Sequence, residues 1–195
     1  MGAPEGDQGD GHDELTVCAL AAGAGDRRAL ERFVHATQRD VWRFLAHLTR
    51  VDLADDLTQE TYLRALPSLP RFAGRSTART WLFSIARRVA VDNVRSALTR
   101  PRVAATDDWA TSAETRHAST HEAAAGFEDI VELNLLLAGL SDDRREALVL
   151  TQVLGLSYSE VAEISGCPVG TVRSRIARAR EDLLRADGTR RTSSG

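Results

Sequence analysis

Apolar positions recur every three to four residues along most of the chain, interrupted by polar or Gly-rich stretches, so the pattern predicts an all-α protein. Leu15 to Ala22 forms a short helix ended by Gly23-Ala24-Gly25. Asp26 stands where an N-cap belongs, ahead of a long helix carrying Leu30, Phe33, Val34, Val41, Phe44, Leu45 and Leu48 at helical spacing. A third helix runs from about Leu53 to Leu66 and stops at Pro67, with Pro70 close behind. Arg71 to Thr77 is a loop around Gly74. The fourth helix spans about Ala78 to Leu98, with Trp81, Leu82, Ile85, Val89 and Val94 or Leu98 on its buried side.

The periodicity then lapses. Residues 101–126 are Ala/Thr/Ser-rich and acidic and read as an extended linker. From Phe127 to about Ala186 the helical pattern returns in four segments, broken near Gly139 to Ser141, Gly155 to Ser157 and Ser165 to Cys167. Ser141 is placed to cap a helix running through Leu154. The expected organisation is a disordered start (1–13), one helical domain (14–100), the linker (101–126), a second helical domain (127–186) and a loose polar tail (187–195).

The last two helices of the second domain form a recognisable unit. Ser157 and Glu160 have capping-box spacing, Val161, Ala162 and Ile164 face inward, and Gly166 suits the positive φ of a tight turn. Pro168 fits a first helical turn, where its missing N–H costs nothing. At about 100° per residue, Val172, Ile176, Ala179 and Leu183 share one stripe. Thr171, Ser174, Arg178 and Arg185 fall opposite, flanked by Arg173 and Arg175. Helix, Gly-containing turn and cationic second helix make a helix-turn-helix, a unit that enters the DNA major groove.

Composition narrows the function classes. An apolar fraction of 43% is enough to build two small cores, while a net charge of −3 excludes a generic polycation. Charge is segregated. Arg71, Arg75, Arg79, Arg87, Arg88, Arg95, Arg100 and Arg102 meet only Asp92 in their stretch, and the next stretch holds Asp107, Asp108, Glu114, Glu122, Glu128 and Asp129 against Arg116. No window is long and apolar enough for a membrane span, and the start has no leader pattern, so a cytoplasmic location is expected. Cys18 and Cys167 belong to no metal or redox motif, and His117 with His121 lacks the Glu of a zinc-protease helix. With no phosphate-cradling Gly loop and no catalytic constellation, neither an enzyme, a metal nor a cofactor is expected.

Two further constellations stand in the first domain. In Asp55-Asp56-Leu57-Thr58-Gln59-Glu60, helical spacing sets Asp56, Gln59 and Glu60 on one polar side, suited to a basic partner, although early acidic residues also simply favour a helix dipole. In Arg71-Phe72-Ala73-Gly74-Arg75-Ser76-Thr77-Ala78-Arg79, continuing to Arg87-Arg88 and Asn93, a basic loop leads into a basic helix. That is suited to a phosphate backbone and an unstacked base. Trp81, beside Leu82 and Ile85, reads as core rather than as a stacking platform.

Taken with Gly-Cys-Pro-Val-Gly-Thr-Val-Arg-Ser-Arg at 166–175, these ordered motifs resemble the extracytoplasmic-function sigma factors of bacterial RNA polymerase, in the sigma-70 family, and within them the actinobacterial SigC-like group. The resemblance covers the chain from about Leu15 to Leu184. It implies that the two domains are sigma regions 2 and 4, and that the partners are core polymerase, through its β′ clamp helices and β flap, and promoter DNA. Asp55, Asp56, Gln59 and Glu60 would bind the clamp helices. Gly74, Arg75, Ser76, Arg79, Arg87, Arg88 and Asn93 would engage the melted minus-ten element. Arg173, Ser174 and Arg178 would read the minus-thirty-five element, with Thr171 and Arg175 on phosphates, while Leu148 and Leu154 would partly face the flap. The linker, through Asp107, Asp108 and Trp109, would thread the active-site cleft. An anti-sigma factor is a further partner the resemblance allows. Two rivals are a helix-turn-helix regulator that binds duplex operators without polymerase, and a sigma antagonist.

Overall fold

The computed structural model of the chain describes residues 9–99 and 130–192, and all the regular elements in those residues are helical. The expected linker, including Asp107, Asp108 and Trp109, lies outside the described residues. The α-helices are α1 (Gly9–Gly23), α2 (Arg27–Leu48), α3 (Ala54–Ala65), α4 (Ala78–Thr99), α5 (130–137), α6 (Asp142–Leu148), α7 (Tyr158–Ser165) and α8 (Val169–Thr192). Thus α1 begins earlier than its apolar pattern predicts. At the other end α8 runs on into the stretch expected to be loose; no proline interrupts it, and one Gly in a helix costs only about 1 kcal/mol.

Local chemistry sets most boundaries. The Asp26 carboxylate accepts from the backbone N–H groups of Arg28 and Ala29 at 2.9 and 3.1 Å, the N-cap its position predicts. Pro67 ends α3 as an α-helix, but the chain continues as a 3₁₀ helix over Leu66–Arg71 with proline in its first turn, where an absent donor breaks nothing. Ser141 has N-cap backbone angles, yet its side chain makes no cap bond. The helix it starts does not stay α through Leu154: it widens into a π-turn over Val149–Val153.

In the N-terminal bundle α2 packs on α1 and α3, and α4 closes the other side. Phe33, Val41, Phe44 and Leu45 of α2 meet Leu82, Phe83, Ala86 and Val89 of α4 in the core, with Phe44 and Phe83 edge to face at 5.3 Å between centroids. Trp81 and Ile85 are half-buried against that core, Trp81 5.1 Å from Phe72, while Val94 is exposed. In the C-terminal group α8 packs on α6 and α7, burying Val172, Ile176 and Ala179 along the predicted stripe. Gly166 closes α7 in the left-handed region at φ 63°, where a Cβ would be strained.

The two groups do not stand apart. Helix α7 lies against α4, α2 touches α6, and the hydrophobic core runs continuously through both. Polar contacts pin this joint at three places. Arg87 Nε lies 2.8 and 2.9 Å from the two oxygens of Glu146, which is 5% exposed and also accepts from the Ser165 hydroxyl. The Thr77 and Thr80 hydroxyls each lie 3.3 Å from Glu160 Oε1. The third place is the end of α2, where His47 Nδ1 meets Asn134 Oδ1 at 2.7 Å and Asn134 Nδ2 donates to the Ala46 carbonyl at 2.9 Å.

Candidate nucleic-acid interface

Three surfaces carry the residues singled out above. On α3, Asp55, Asp56 and Gln59 are exposed near a helix N-terminus, where the dipole favours carboxylates, and Glu60 is half-buried. Asp55 Oδ1 accepts from the Trp42 indole at 2.9 Å. Glu60 pairs with Arg64 at 2.7 Å, and Arg64 reaches Asp92 of α4, also at 2.7 Å. Hydrogen bonds from Arg64 to Asp92 and then Glu60 hold its guanidinium pKa above the ordinary value. Leu63, 68% exposed, adds an apolar element to the same helix. The surface is therefore acidic, partly pre-ordered and open.

The second surface is the 72–77 loop and the outer face of α4. Gly74 sits at φ 65° and is exposed with Arg75, while Ser76 is half-buried. Thr77 caps α4 by accepting from the Thr80 N–H at 3.1 Å. Arg88 is exposed and Asn93 half-buried. Two of the arginines are engaged inside the chain. Arg79 pairs with Asp40 of α2 at 2.7 Å, its guanidinium carbon 5.7 Å from the Phe83 ring centroid, so it ties α4 to α2. Arg87 is held by Glu146 at the joint.

The third surface is α8. Arg173, Ser174 and Arg178 are exposed on its outer side, Thr171 is half-buried, and the Ser174 hydroxyl donates to the Thr171 carbonyl at 2.9 Å. The capping box predicted for α7 is complete: Glu160 accepts from the Ser157 N–H while Ser157 accepts from the Glu160 N–H. Arg175 turns back from this face, with Nη2 2.6 Å from Asp143 of α6 and Nη1 3.5 Å from the Cys167 sulfur. It braces the helix-turn-helix. Leu148 and Leu154, expected to face a partner in part or to belong to the core, are buried in the core; the exposed apolar residues of this half include Val131, Leu135 and Leu136 of α5.

The N-terminal bundle thus presents an acidic face on α3 and a basic one at the start of α4, while α8 presents a separate cationic reading face. Sequence reasoning missed Glu146, His47 and Asn134. A carboxylate at the end of the charged run from Asp142 to Glu146 and a histidine on an apolar stripe give no local sign of partners 59 and 87 residues away. Among the described residues there is no cluster of His, Cys, Asp and Glu able to hold a metal, and no helix long and apolar enough to cross a membrane.

Comparison with known proteins matches the two halves of the chain to two regions of one family. Residues 33–99 match sigma-70 region 2, and residues 130–183 match sigma-70 region 4. The chain is 54% identical over 172 residues to the ECF RNA polymerase sigma factor SigC of Mycobacterium tuberculosis, an alignment covering 88% of this chain and 90% of that one. It is 34% identical over 181 residues to the ECF RNA polymerase sigma-E factor of Haemophilus influenzae, covering 87% and 94%. Among solved structures, the sigma factor RpoE of Bartonella quintana, in complex with the anti-sigma factor NepR, superposes with TM-score 0.61 at 27% identity, covering 80% of this chain and 94% of that one. CnrH, in complex with the cytosolic domain of CnrY, shares the fold with TM-score 0.70 at 24% identity, covering 91% and 99%.

Proposed function

Because the chain belongs to the ECF sigma factors of the sigma-70 family, we propose that it binds core RNA polymerase in the cytoplasm and directs promoter recognition, strand opening and transcription initiation without catalysing a reaction itself. The observation that supports this most is the pairing of faces within one bundle. An operator-binding regulator has use for α8 but none for an open acidic face on α3 beside a basic loop and helix. An anti-sigma factor is a partner of the same class as the one RpoE carries.

In this reading residues 14–100 act as region 2 and residues 127–186 as region 4. Asp55, Asp56, Gln59 and Glu60 dock on the polymerase clamp, with Leu63 beside them. Gly74, Arg75, Ser76, Arg88 and Asn93 meet the separated minus-ten strand, where backbone charge and an unstacked base are both within the chemistry of Arg, Ser and Asn. Arg79 contributes by holding α4 on α2. Arg173, Ser174 and Arg178 read the minus-thirty-five duplex, Arg being a bidentate reader of guanine, while Thr171 lies near the backbone and Arg175 keeps α8 on α6. Asp107, Asp108 and Trp109 pass through the polymerase cleft.

Arg87 serves two masters. Its Nε is taken by Glu146, whose negative charge also repels a phosphate beside it, so strand engagement by this residue is favoured by opening of the joint between α4 and the C-terminal group. Run-off transcription with purified core polymerase tests the whole reading: promoter-specific transcripts are expected only when the chain is added, and an Asp56→Arg variant should lose them together with core binding. Tight binding of the chain alone to an operator duplex, with no transcripts from core, would favour the regulator instead.

A further inference from the structure

The end of α2 carries a buried, half-satisfied histidine at the joint. His47 is 1% exposed, and its Nε2 has no partner. Its tautomer follows from the neighbour. Asn134 Nδ2 donates to the Ala46 carbonyl, which turns Oδ1 toward the ring, so Nδ1 carries the proton and Nε2 holds a lone pair. Asn134 belongs to α5, so the ring is sealed by an element from the other half of the chain. Ile130 of the same helix packs with Ala46 and Ala54 beside it.

We propose that His47 and Asn134 form a proton-sensitive latch, in which protonation of His47 at Nε2 releases α5 from the end of α2 and opens the two halves of the chain. Docked, a proton on Nε2 is a buried donor with no acceptor, and the charge of Arg43 on the same helix opposes it. Undocked, the ring sits in the last turn of α2 facing water, where the helix dipole welcomes a cation. Burial accordingly holds the docked His47 below its ordinary value near 6.5, ahead of the opposing bond from Asn134 and the added push of Arg43.

Of the other charged groups on the packed elements, Arg145 of α6 has a buried Nε without a partner, and several are engaged or outward. Asp52 pairs with Arg50 at 2.8 Å, Asp55 accepts from Trp42, and Glu132 of α5 is exposed. The remaining carboxylates that bridge the joint are Glu146 and Glu160, which hold Arg87, Ser165, Thr77 and Thr80. The sign is fixed by proton count. The open state binds one more proton, so docking holds above the open-state pKa near 6.5 and is lost as pH falls below it, until the docked ring titrates too. One linked proton changes the docked-to-open ratio by at most about tenfold per pH unit.

The test is the radius of gyration of the column-separated full-length monomer by small-angle X-ray scattering, from about pH 7.5 to about pH 5.5, for the wild type, His47→Gln and Asn134→Asp. The wild type is expected to expand below about pH 6.5. His47→Gln keeps a donor for Asn134 but has no proton to gain, so its size should not change over the range. Asn134→Asp holds the protonated ring with a carboxylate and should move the expansion to lower pH. A wild-type radius constant over the whole range overturns the proposal. So does expansion of His47→Gln over the wild-type range, which would place the pH response outside His47. Should His47→Gln fail to fold, expansion of Asn134→Asp at the wild-type pH overturns it independently.

Discussion

Replacing Glu146 by Gln isolates the charge at the joint while keeping the side chain's shape. The wild-type carboxylate is 5% exposed, faces Arg87 Nε at 2.8 and 2.9 Å and accepts from the Ser165 hydroxyl. A hydrogen bond to a charged group contributes about 2–3 kcal/mol, and a neutral amide oxygen in the same place about 1, so the substitution weakens docking by about 1–2 kcal/mol, or about 5- to 30-fold. On the proposed reading, in which Arg87 meets the strand once Glu146 releases it, the apparent affinity of the chain for a single strand is its intrinsic affinity scaled by the open fraction. Fluorescence anisotropy of the full chain without polymerase, against a labelled single-stranded oligonucleotide of minus-ten sequence, should therefore show binding tightened by a similar factor. The ceiling is the intrinsic affinity of the open state. Loss of one negative charge also favours DNA in a general way, and Glu163→Gln controls for this: Glu163 is exposed on α7 with no side-chain bond across the joint. Equal affinities for wild type and Glu146→Gln, or an equal gain in Glu163→Gln, would refute the argument that the Arg87 pair holds the joint closed.

Three other outcomes follow from single sites. In holoenzyme, Arg173→Ala or Arg178→Ala should cost about 1–3 kcal/mol of discrimination between promoter sequences while leaving core binding intact; unchanged selectivity would remove α8 from the reading role. Gly166→Ala places a Cβ in open space at φ 63°, so the loss is conformational only, about 1–2 kcal/mol, and the thermal midpoint should fall by several degrees. Burial, only partly offset by the bond to Thr37, pushes the Tyr62 pKa up to about 12, so the folded chain keeps a proton that the unfolded chain releases near 10. Stability should decline above pH 10 and level off near pH 12. Tyr62→Phe should flatten that decline, and Thr37 would keep its bond to the Phe33 carbonyl.

What could be read from the sequence was what repeats locally. The stripe of Val172, Ile176 and Ala179, the Asp26 cap and the capping box of α7 all depend on residues within two turns of one another, and each is found where expected. The departures share a physical origin in partners far along the chain. Arg79 and Arg175 look like phosphate ligands until Asp40 and Asp143 arrive from 39 and 32 residues away. Val94 sits at a core spacing but faces outward, while Phe83 and Ala86 fill the face of α4 that meets α2. Leu148 and Leu154 were legible as apolar, not as buried. The joint itself left no periodic trace, because Glu146, Glu160, Thr77 and Thr80 are polar residues whose partners across it lie 59 to 83 residues away.

The bond between the Trp42 indole and Asp55 has a spectroscopic consequence. An indole whose N–H is tied to a carboxylate on the acidic face of α3 changes its emission when that carboxylate takes another partner. Trp81, tilted against Phe72 with 5.1 Å between ring centroids, lies beside the basic loop of the same bundle. Each face therefore carries its own intrinsic chromophore within a few ångströms of the chemistry it reports. Single-tryptophan versions of the chain could time polymerase docking and strand capture separately, in one unlabelled protein.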